Sequence, residues 1–183
     1  NPALRKELAD PYSICPPGSG QRVRQKNVGL AEYDPDFSAW IAPFVMSAIN
    51  TRVVHRTNAL LQHAYGPEFR YDEAVLTGRG WKYVLPAPGA GPSPAAQLKG
   101  GFDLRFHGRT QRGDIVRTRV TGDRDPGYGS TAKMLGQAAA CLASDISRKQ
   151  RAGGFWTPAA AFGDRIVERL QAHSGLTFEV LDK

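Results

Sequence analysis

A strand, a glycine-rich turn and a helix follow one another in residues 117–146, and this stretch constrains the fold most. In RTRVTGDRDPGYGSTAKMLGQAAACLASDI, alternating basic and apolar residues predict a strand that ends near Thr121. The segment GDRDPGYG is typical of a turn, and either Ser130 or Thr131 can cap the helix that follows. We expect the helix to bury an apolar stripe at helical spacing, made of Leu135, Ala138, Leu142 and Ile146.

A β-hairpin is predicted just before this turn, from residues 102–107 and 115–121. Phe102, Leu104 and Phe106 alternate with polar residues, so pairing would bring a basic set onto the opposite face, namely Arg105, His107, Arg117 and Arg119. Like charges opposite each other cost up to about 1 kcal/mol, so we expect a compensating acid. Asp103 and Glu73 are the internal candidates, and an acidic ligand or partner is the external one.

The other elements are predicted from periodicity and from glycine and proline. The longest helix should run from a cap at Asp34 to about Leu60, and its later polar residues favour a solvated face, namely Asn50, Arg52, His55, Arg56 and Asn58. Strands are expected at 22–30 and 69–76, a helix at 157–173, and a final strand at 176–181 inside the sheet. Residues 2–9 look like the end of a helix that begins upstream.

These elements predict an α+β fold. We expect a mixed or antiparallel sheet of about five strands, with three long helices packed against it, in a single domain that spans residues 1–183. Four prolines fall in the Pro/Gly-rich stretch 82–98, which predicts a flexible loop within that domain.

Charge and composition narrow the partners. A net charge of +7 favours anions, but the basic residues are scattered, which argues against nucleic acid. The sequence has no apolar run of about 18 residues, so no transmembrane segment is predicted. The start of the chain lacks the apolar block that is typical of a signal peptide. Cys15 and Cys141 form no metal or disulfide pattern, which suits a cytoplasmic protein; the four histidines lack metal-site spacing, so no metal is expected.

The turn before the central helix is a candidate anion site. Its Gly-x-Gly-Ser-Thr run opens a helix, where N–H groups and the helix dipole attract anions. The Walker pattern fails because Lys133 stands between Ala132 and Met134, and an ordinary capped turn is the alternative. No Gly-x-Gly-x-x-Gly follows a strand, so we expect no dinucleotide fold in this chain. The candidate residues are Asp123, Arg124, Asp125, Gly127, Tyr128, Gly129, Ser130, Thr131 and Lys133.

Four phrases resemble the C-terminal part of the saccharopine dehydrogenase-like oxidoreductases, in the branch described as trans-acting enoyl reductases. They are APFVMSAINTRVVHRTNALL (42–61), FRYDEAVLTGRGW (69–81), RTRVTGDRDPGYGSTAKMLGQAAACLA (117–143) and GGFWTPAAAFGDRIVERLQAHSGLTFEVLD (153–182). They keep their order and cover well over half of the chain.

The resemblance implies that an N-terminal Rossmann domain, absent from this chain, binds NADP or NAD. This chain would then be the substrate-binding and dimerisation domain of a homodimeric enzyme of lipid or polyketide biosynthesis, acting on an acyl thioester or an acyl carrier protein. Tyr128 and Lys133 are the candidate catalytic residues, and spacing does not choose between them. Asn50 and Arg52 would form the facing wall of the cleft. The alternative is a non-enzymatic dimerisation or binding module whose basic face meets an acidic partner.

Overall fold

The computed structural model describes residues 5, 7, 9–20, 23–77 and 90–182, with the exception of the Asp182 side chain. The chain divides into two compact units, Asn1–Leu85 and Pro86–Lys183. Each unit contains helix and antiparallel sheet, so the α+β class is confirmed. The prediction of one sheet of about five strands is wrong, because the strands form two separate three-stranded sheets. The prediction that residues 1–183 are a single domain stays a prediction.

The first unit contains strands β1 (Glu32–Asp34), β2 (Ala39–Pro43) and β3 (Ala74–Thr77), in the order β1-β2-β3, and helix α1 (Ser47–Leu60). The predicted helix is therefore wrong over its first half. The Asp34 carboxylate accepts the N–H groups of Asp36 and Phe37 at 2.8 and 3.1 Å, and Ser38 has φ of +50°, so the chain reverses there. Proline and aromatic residues that matched a helical period instead occupy a hairpin.

Two further strand predictions in this unit are wrong in whole or in part. Residues 23–30 contain no strand, and the strand expected at 69–76 begins only at Ala74. The backbone N–H of Tyr71 donates to the side-chain oxygen of Gln25 at 3.0 Å. A side chain therefore takes the place of a strand partner for this amide.

The second half of α1 is not the solvated polar face that its sequence predicts. His55 and Asn58 are fully buried. The Asn58 side chain donates to the carbonyl of Gly66 at 3.2 Å and accepts the N–H of Tyr65 at 2.9 Å. Positive φ at Gln62 and His63 bends the chain just after the helix. This bend brings backbone groups to Asn58, and their hydrogen bonds offset the cost of burying its amide.

The second unit contains α2 (Pro94–Lys99), α3 (Gly129–Ser144), α4 (Pro158–Phe162) and α5 (Asp164–His173). Its strands are β4 (Phe102–Arg109), β5 (Ile115–Gly122) and β6 (Leu176–Asp182), in the antiparallel order β4-β5-β6. The predicted hairpin is confirmed as β4 and β5, with Arg105 opposite Arg119 and His107 opposite Arg117. The interior position predicted for the last strand is wrong: among the described strands, β6 pairs only with β5 and forms an edge of this sheet.

Three other features of the second unit differ from expectation. Residues 94–98 lie in α2 rather than in a loop, because Ser93 accepts the N–H of Ala96 at 3.2 Å and Pro94 suits the first helical position. Residues 82–89 of the predicted loop lie outside the described residues. The helix expected at 157–173 is divided at Gly163, where φ is +57°.

The apolar stripe predicted to bury α3 is not its buried face: Ala138 is half-buried, and Ile146, also half-buried, lies beyond the end of the helix at Ser144. Leu135 and Leu142 are 70% and 59% exposed, whereas Ser130 and Cys141 are fully buried. Helix α3 packs on α5, and α5 packs on β6. Contact with α5 therefore covers a different face of α3 from the one that the hydrophobic spacing indicated.

Candidate functional site

Asp125 organises the turn that the sequence singles out. Its carboxylate accepts the N–H groups of Tyr128 and Gly129 at 2.7 and 3.4 Å, and its carbonyl accepts the N–H of Ser130 at 2.8 Å. The predicted cap by Ser130 or Thr131 is wrong. Their hydroxyls instead donate backwards, from Ser130 to the carbonyl of Arg124 at 3.0 Å and from Thr131 to that of Pro126 at 2.6 Å. An acidic side chain therefore already faces the positive end of α3.

This arrangement bears directly on anion binding at the turn. An anion that approached the first amides of α3 would meet the Asp125 carboxylate and would have to displace it. Gly127 lies beside that carboxylate, since a Cβ there would be 3.7 Å from Asp125 Oδ2. The geometry favours the alternative of a capped turn over a phosphate cradle.

Lys133 ties the start of α3 to the end of α5. Its ammonium donates to Asp123 Oδ1 at 2.7 Å and to the carbonyl of Ser174, the residue that ends α5, at 2.9 Å. The hydrogen bond from Lys133, together with its charge and that of Arg124, lowers the pKa of Asp123. Gly175 has φ of +67°, and a Cβ at that position would overlap the Asp123 carboxylate. The Lys133 ammonium is therefore engaged within the fold.

Residues 97–100, which precede the hairpin, closely contact the turn. The N–H of Asp125 donates to the carbonyl of Gln97 at 3.1 Å, and Arg124 Nη1 donates to that of Leu98 at 3.3 Å. A Cβ at Gly100 would be 2.8 Å from Asp125 Cα, and one at Gly129 would be 2.8 Å from Arg124 Cβ. Glycine is required at both positions by this close approach. The turn is thus clamped between α2 and the end of α5.

Tyr128 has a side chain in the turn that is open to solvent. It is 56% exposed, and its hydroxyl makes no hydrogen bond within the described part of the chain. Gly91 lies close to the ring, since a Cβ there would be 3.1 Å from the Tyr128 hydroxyl oxygen. Of the two candidate catalytic residues, Tyr128 has an available proton and Lys133 is held by the fold.

The predicted basic face exists, and an acid on the same face compensates it. Asp103 accepts Arg119 Nε at 3.0 Å and Arg105 Nη2 at 3.1 Å, and Arg119 Nη1 lies 3.9 Å from Glu179. The hydrogen bond from Arg119, followed by the hydrogen bond and charge of Arg105, lowers the pKa of Asp103. Arg117 lies on the same face, opposite His107 in β4 and Asp182 in β6. Of the two acids expected, Asp103 is confirmed in this position.

Glu73 has other partners. It belongs to the first unit, where Glu73 Oε2 accepts Asn50 Nδ2 at 3.3 Å and the Tyr71 hydroxyl at 3.0 Å. Burial, followed by the charge and hydrogen bond of Glu73, raises the pKa of Tyr71 strongly. Arg52 also belongs to this unit, and its Nε donates to Ser13 Oγ at 3.2 Å. That Asn50 and Arg52 face the turn of the second unit stays a prediction.

A cavity in the first unit was not predicted from the sequence. It has a volume of about 540 Å³ and lies between residues 9–12, residues 23–27 and α1. Tyr12, Gln25 and Thr51 line it, and none of them belongs to a motif. Its walls come from segments distant in sequence, so no local spacing indicates it. Arg52 also lines the cavity and was a candidate site residue, but the sequence pattern predicted that it lies on a solvated face.

The two described sheets contain no parallel strand pair of the kind that a dinucleotide-binding βαβ unit has. Both sheets are antiparallel, and the N-terminus of α3 already faces the Asp125 carboxylate, so neither supplies a cradle for a dinucleotide phosphate. Within the described residues, no group of three or more His, Cys, Asp or Glu side chains is placed to hold a metal ion. No helix in the described part of the chain has both the length and the hydrophobicity needed to cross a bilayer.

Comparison with known proteins identifies relatives of one kind. A Mycobacterium tuberculosis protein provisionally named a trans-acting enoyl reductase is 33% identical over 210 aligned residues, which cover 94% of this chain and 50% of that protein. Trans-acting enoyl reductases of Mycobacterium bovis and Mycobacterium ulcerans are 31% and 30% identical, each matched over 93% of this chain and 50% of its own length. No protein-family model and no solved structure matches the chain.

The matches run through nearly all of this sequence, so the aligned span includes the turn at 123–133. The chain spans about half the length of the curated relatives that it matches. Over that half, this chain is similar to the trans-acting enoyl reductases.

Proposed function

We propose that this chain is the C-terminal, substrate-binding part of an NAD(P)-dependent oxidoreductase of the saccharopine dehydrogenase-like kind. The enzyme would reduce an α,β-unsaturated acyl thioester in lipid or polyketide biosynthesis. The observation that carries this proposal is the 33% identity over 94% of the chain to a protein with an enoyl reductase name. Because the chain spans half of that relative, we place the nicotinamide-binding Rossmann domain in the other half.

Within this proposal, Tyr128 and Lys133 have different roles. Tyr128 is the candidate proton donor, because its hydroxyl is exposed and has no hydrogen bond within the described ranges. Reduction of an enoyl group requires a proton as well as a hydride, and a phenol beside the thioester is a suitable acid. Lys133 is a positioning residue, since its contacts with Asp123 and Ser174 fix the first turn of α3 directly after Tyr128.

The partners in this proposal are the enzyme's own N-terminal domain, a second copy of the protein, and an acyl carrier protein that delivers the thioester. Leu135 and Leu142 support a protein contact on α3, because large apolar side chains left exposed on one helix face often mark an interface. The acidic surface of a carrier protein would suit the overall charge of +7.

The alternative of a non-enzymatic module with a basic face is weaker. Asp103 and Glu179 lie among Arg105 and Arg119, so part of that positive charge is balanced within the sheet. An acidic partner would compete with these contacts. The homology also favours the enzyme.

The experiment follows NADPH oxidation by the complete protein with an enoyl thioester as substrate. We expect turnover in the wild type and at least a tenfold lower kcat in Tyr128→Phe. Arg112→Gln, a change at an exposed residue of the second unit outside the turn and α3, should keep its kcat. The 183-residue chain alone should not bind NADPH at micromolar concentration in a fluorescence titration. If the wild type showed no enoyl-dependent reaction, the proposal would be wrong. If Tyr128→Phe kept full activity, the role of Tyr128 would be wrong.

A further inference from the structure

We propose that the cavity of the first unit binds a small polar ligand through an anionic carboxylate or phosphate group. The site lies in the unit Asn1–Leu85, whereas the candidate proton donor belongs to the other unit. The inference therefore goes beyond the proposed function and stands without it.

The cavity has the size and the fixed walls of a ligand site. Its volume of about 540 Å³ falls within the range of roughly 300–1,000 Å³ that is typical of small-molecule pockets. The Tyr12 hydroxyl donates to the carbonyl of Val23 at 2.7 Å, and Gln25 Nε2 donates to that hydroxyl and to the same carbonyl. Gln25 Oε1 in turn accepts the N–H of Tyr71. This network joins two walls of the cavity before any ligand arrives.

Thr51 presents an unused hydroxyl to the cavity. The residue lines the cavity and is 5% exposed, yet its side chain makes no hydrogen bond within the described part of the chain. Thr57, on the same helix, returns its hydroxyl to the carbonyl of Val53 at 2.8 Å. The Thr51 hydroxyl oxygen keeps some solvent access, so it is available to a ligand in the cavity.

The charges around the cavity select an anion. Arg24 and Arg52 both line it, and Asp10 is the one carboxylate among the described lining residues. Asp10 already accepts the N–H of Tyr12 at 2.8 Å, and Arg24 has no ion pair within the described ranges. A guanidinium forms paired hydrogen bonds with a carboxylate or a phosphate, and the Thr51 hydroxyl and the Asn27 amide add neutral donors.

Isothermal titration calorimetry of the 183-residue chain tests the proposal, with inorganic phosphate and succinate as probes in chloride-buffered solution. We expect saturable binding of at least one probe at one site per chain, and which of the two binds distinguishes a phosphate group from a carboxylate group. Arg24→Gln should weaken the affinity at least tenfold, and Thr51→Val, which keeps the side-chain shape, about threefold.

Arg112→Gln is the matched control, because it removes the same charge from a side chain that is 89% exposed in the second unit. It should leave the affinity unchanged. Circular dichroism verifies that each variant folds, and Thr51→Val alone decides the matter if Arg24→Gln does not fold. The proposal is wrong if neither probe binds, or if Arg112→Gln weakens binding as much as Arg24→Gln does.

Discussion

The two longest helices depart from simple amphipathicity in opposite directions. Helix α1, with 14 residues, buries the polar side chains Thr51, His55, Thr57 and Asn58. Helix α3, with 16 residues, leaves Leu135 and Leu142 exposed and buries Ser130 and Cys141. The apolar spacing of each helix predicts a different buried face from the one that the structure has.

The difference lies in how each helix is held. Along α1, buried side chains contact other segments: Asn58 bonds backbone groups of the following turn, and the His55 ring lies 4.6 Å from Tyr12 and 5.8 Å from Phe69 between ring centroids. Helix α3 packs on α5 and is also fixed at its N-terminal end, by Asp125 on its amides and by Lys133 on the end of α5. These contacts leave Leu135 and Leu142 of α3 open to solvent.

Gly175→Ala should cause the largest loss of stability, because it disturbs the contacts that hold the N-terminal end of α3. The substitution places a Cβ against the Asp123 carboxylate at a residue with φ of +67°, so we expect a loss of about 2–3 kcal/mol in the free energy of unfolding. Gly136→Ala is the control on α3, because no atom lies within 4 Å of a Cβ there. Alanine in a helix interior should raise stability by up to about 1 kcal/mol. Urea unfolding measures both, and a loss of equal size in the two variants would contradict the role of these end contacts.

Asn58→Ala tests the buried contacts along the side of α1. It removes two hydrogen bonds from a fully buried position and leaves the N–H of Tyr65 without its acceptor, so we expect a loss of about 2 kcal/mol. Leu142→Gln on α3 should change stability by less than about 0.5 kcal/mol, because that side chain is already exposed. If Leu142→Gln proved the more damaging in thermal unfolding, the contrast between the helices would be wrong.

Lys133→Met should cost about 1–2 kcal/mol at neutral pH, since it removes a partly exposed ion pair and the hydrogen bond to Ser174. The folded pKa of Asp123 lies below 3.8, so its contribution is present above that pH and is lost as the pH falls through the folded pKa. The difference in stability between wild type and Lys133→Met, measured from pH 5 to pH 2, should therefore shrink, and only the part due to the Ser174 hydrogen bond should remain at the lowest pH. A constant difference across this range would show that the pair contributes nothing.

His55→Phe should give the smallest effect, a change in how steeply the free energy of unfolding depends on pH. Burial lowers the pKa of His55 from 6.5, and neither ring nitrogen has a hydrogen-bond partner in the described residues. The stability of the neutral form is complete above about pH 6.5 and falls as the pH drops toward the folded pKa, because the unfolded chain binds the proton more readily. His55→Phe should remove this slope between pH 7 and pH 5. An identical slope in the two proteins would assign the pH dependence to other groups.

Local patterns predicted the elements whose neighbours are close in sequence. Alternation over 102–121 predicted β4, β5 and their shared basic face, because the short loop between them leaves few alternative registers. Asp103 was one of two acids expected there, and its neighbouring position in β4 is what places it beside Arg119. The helix after GDRDPGYG was likewise predicted to within one or two residues of its start at Gly129.

Predictions failed where a residue's role depends on a distant segment. Phe37, Trp40 and Ile41 fit a helical period, but the Asp34 turn joins β1 and β2 in a hairpin, and β2 also pairs with the distant β3. Neither the Asp125 cap nor the Ser174 carbonyl that receives Lys133 follows from spacing, and the cavity around Thr51 joins segments about 40 residues apart.

The sequence by itself determined the α+β class, the central hairpin and helix, and the relationship to the enoyl reductases, because periodicity and long similar phrases are properties of the chain alone. Only the tertiary structure decided which helix faces are buried, which lysine is held and which tyrosine is open, and where a cavity lies. Those outcomes depend on hydrogen bonds and packing between residues far apart in sequence, and each such partner competes with solvent for the same polar group.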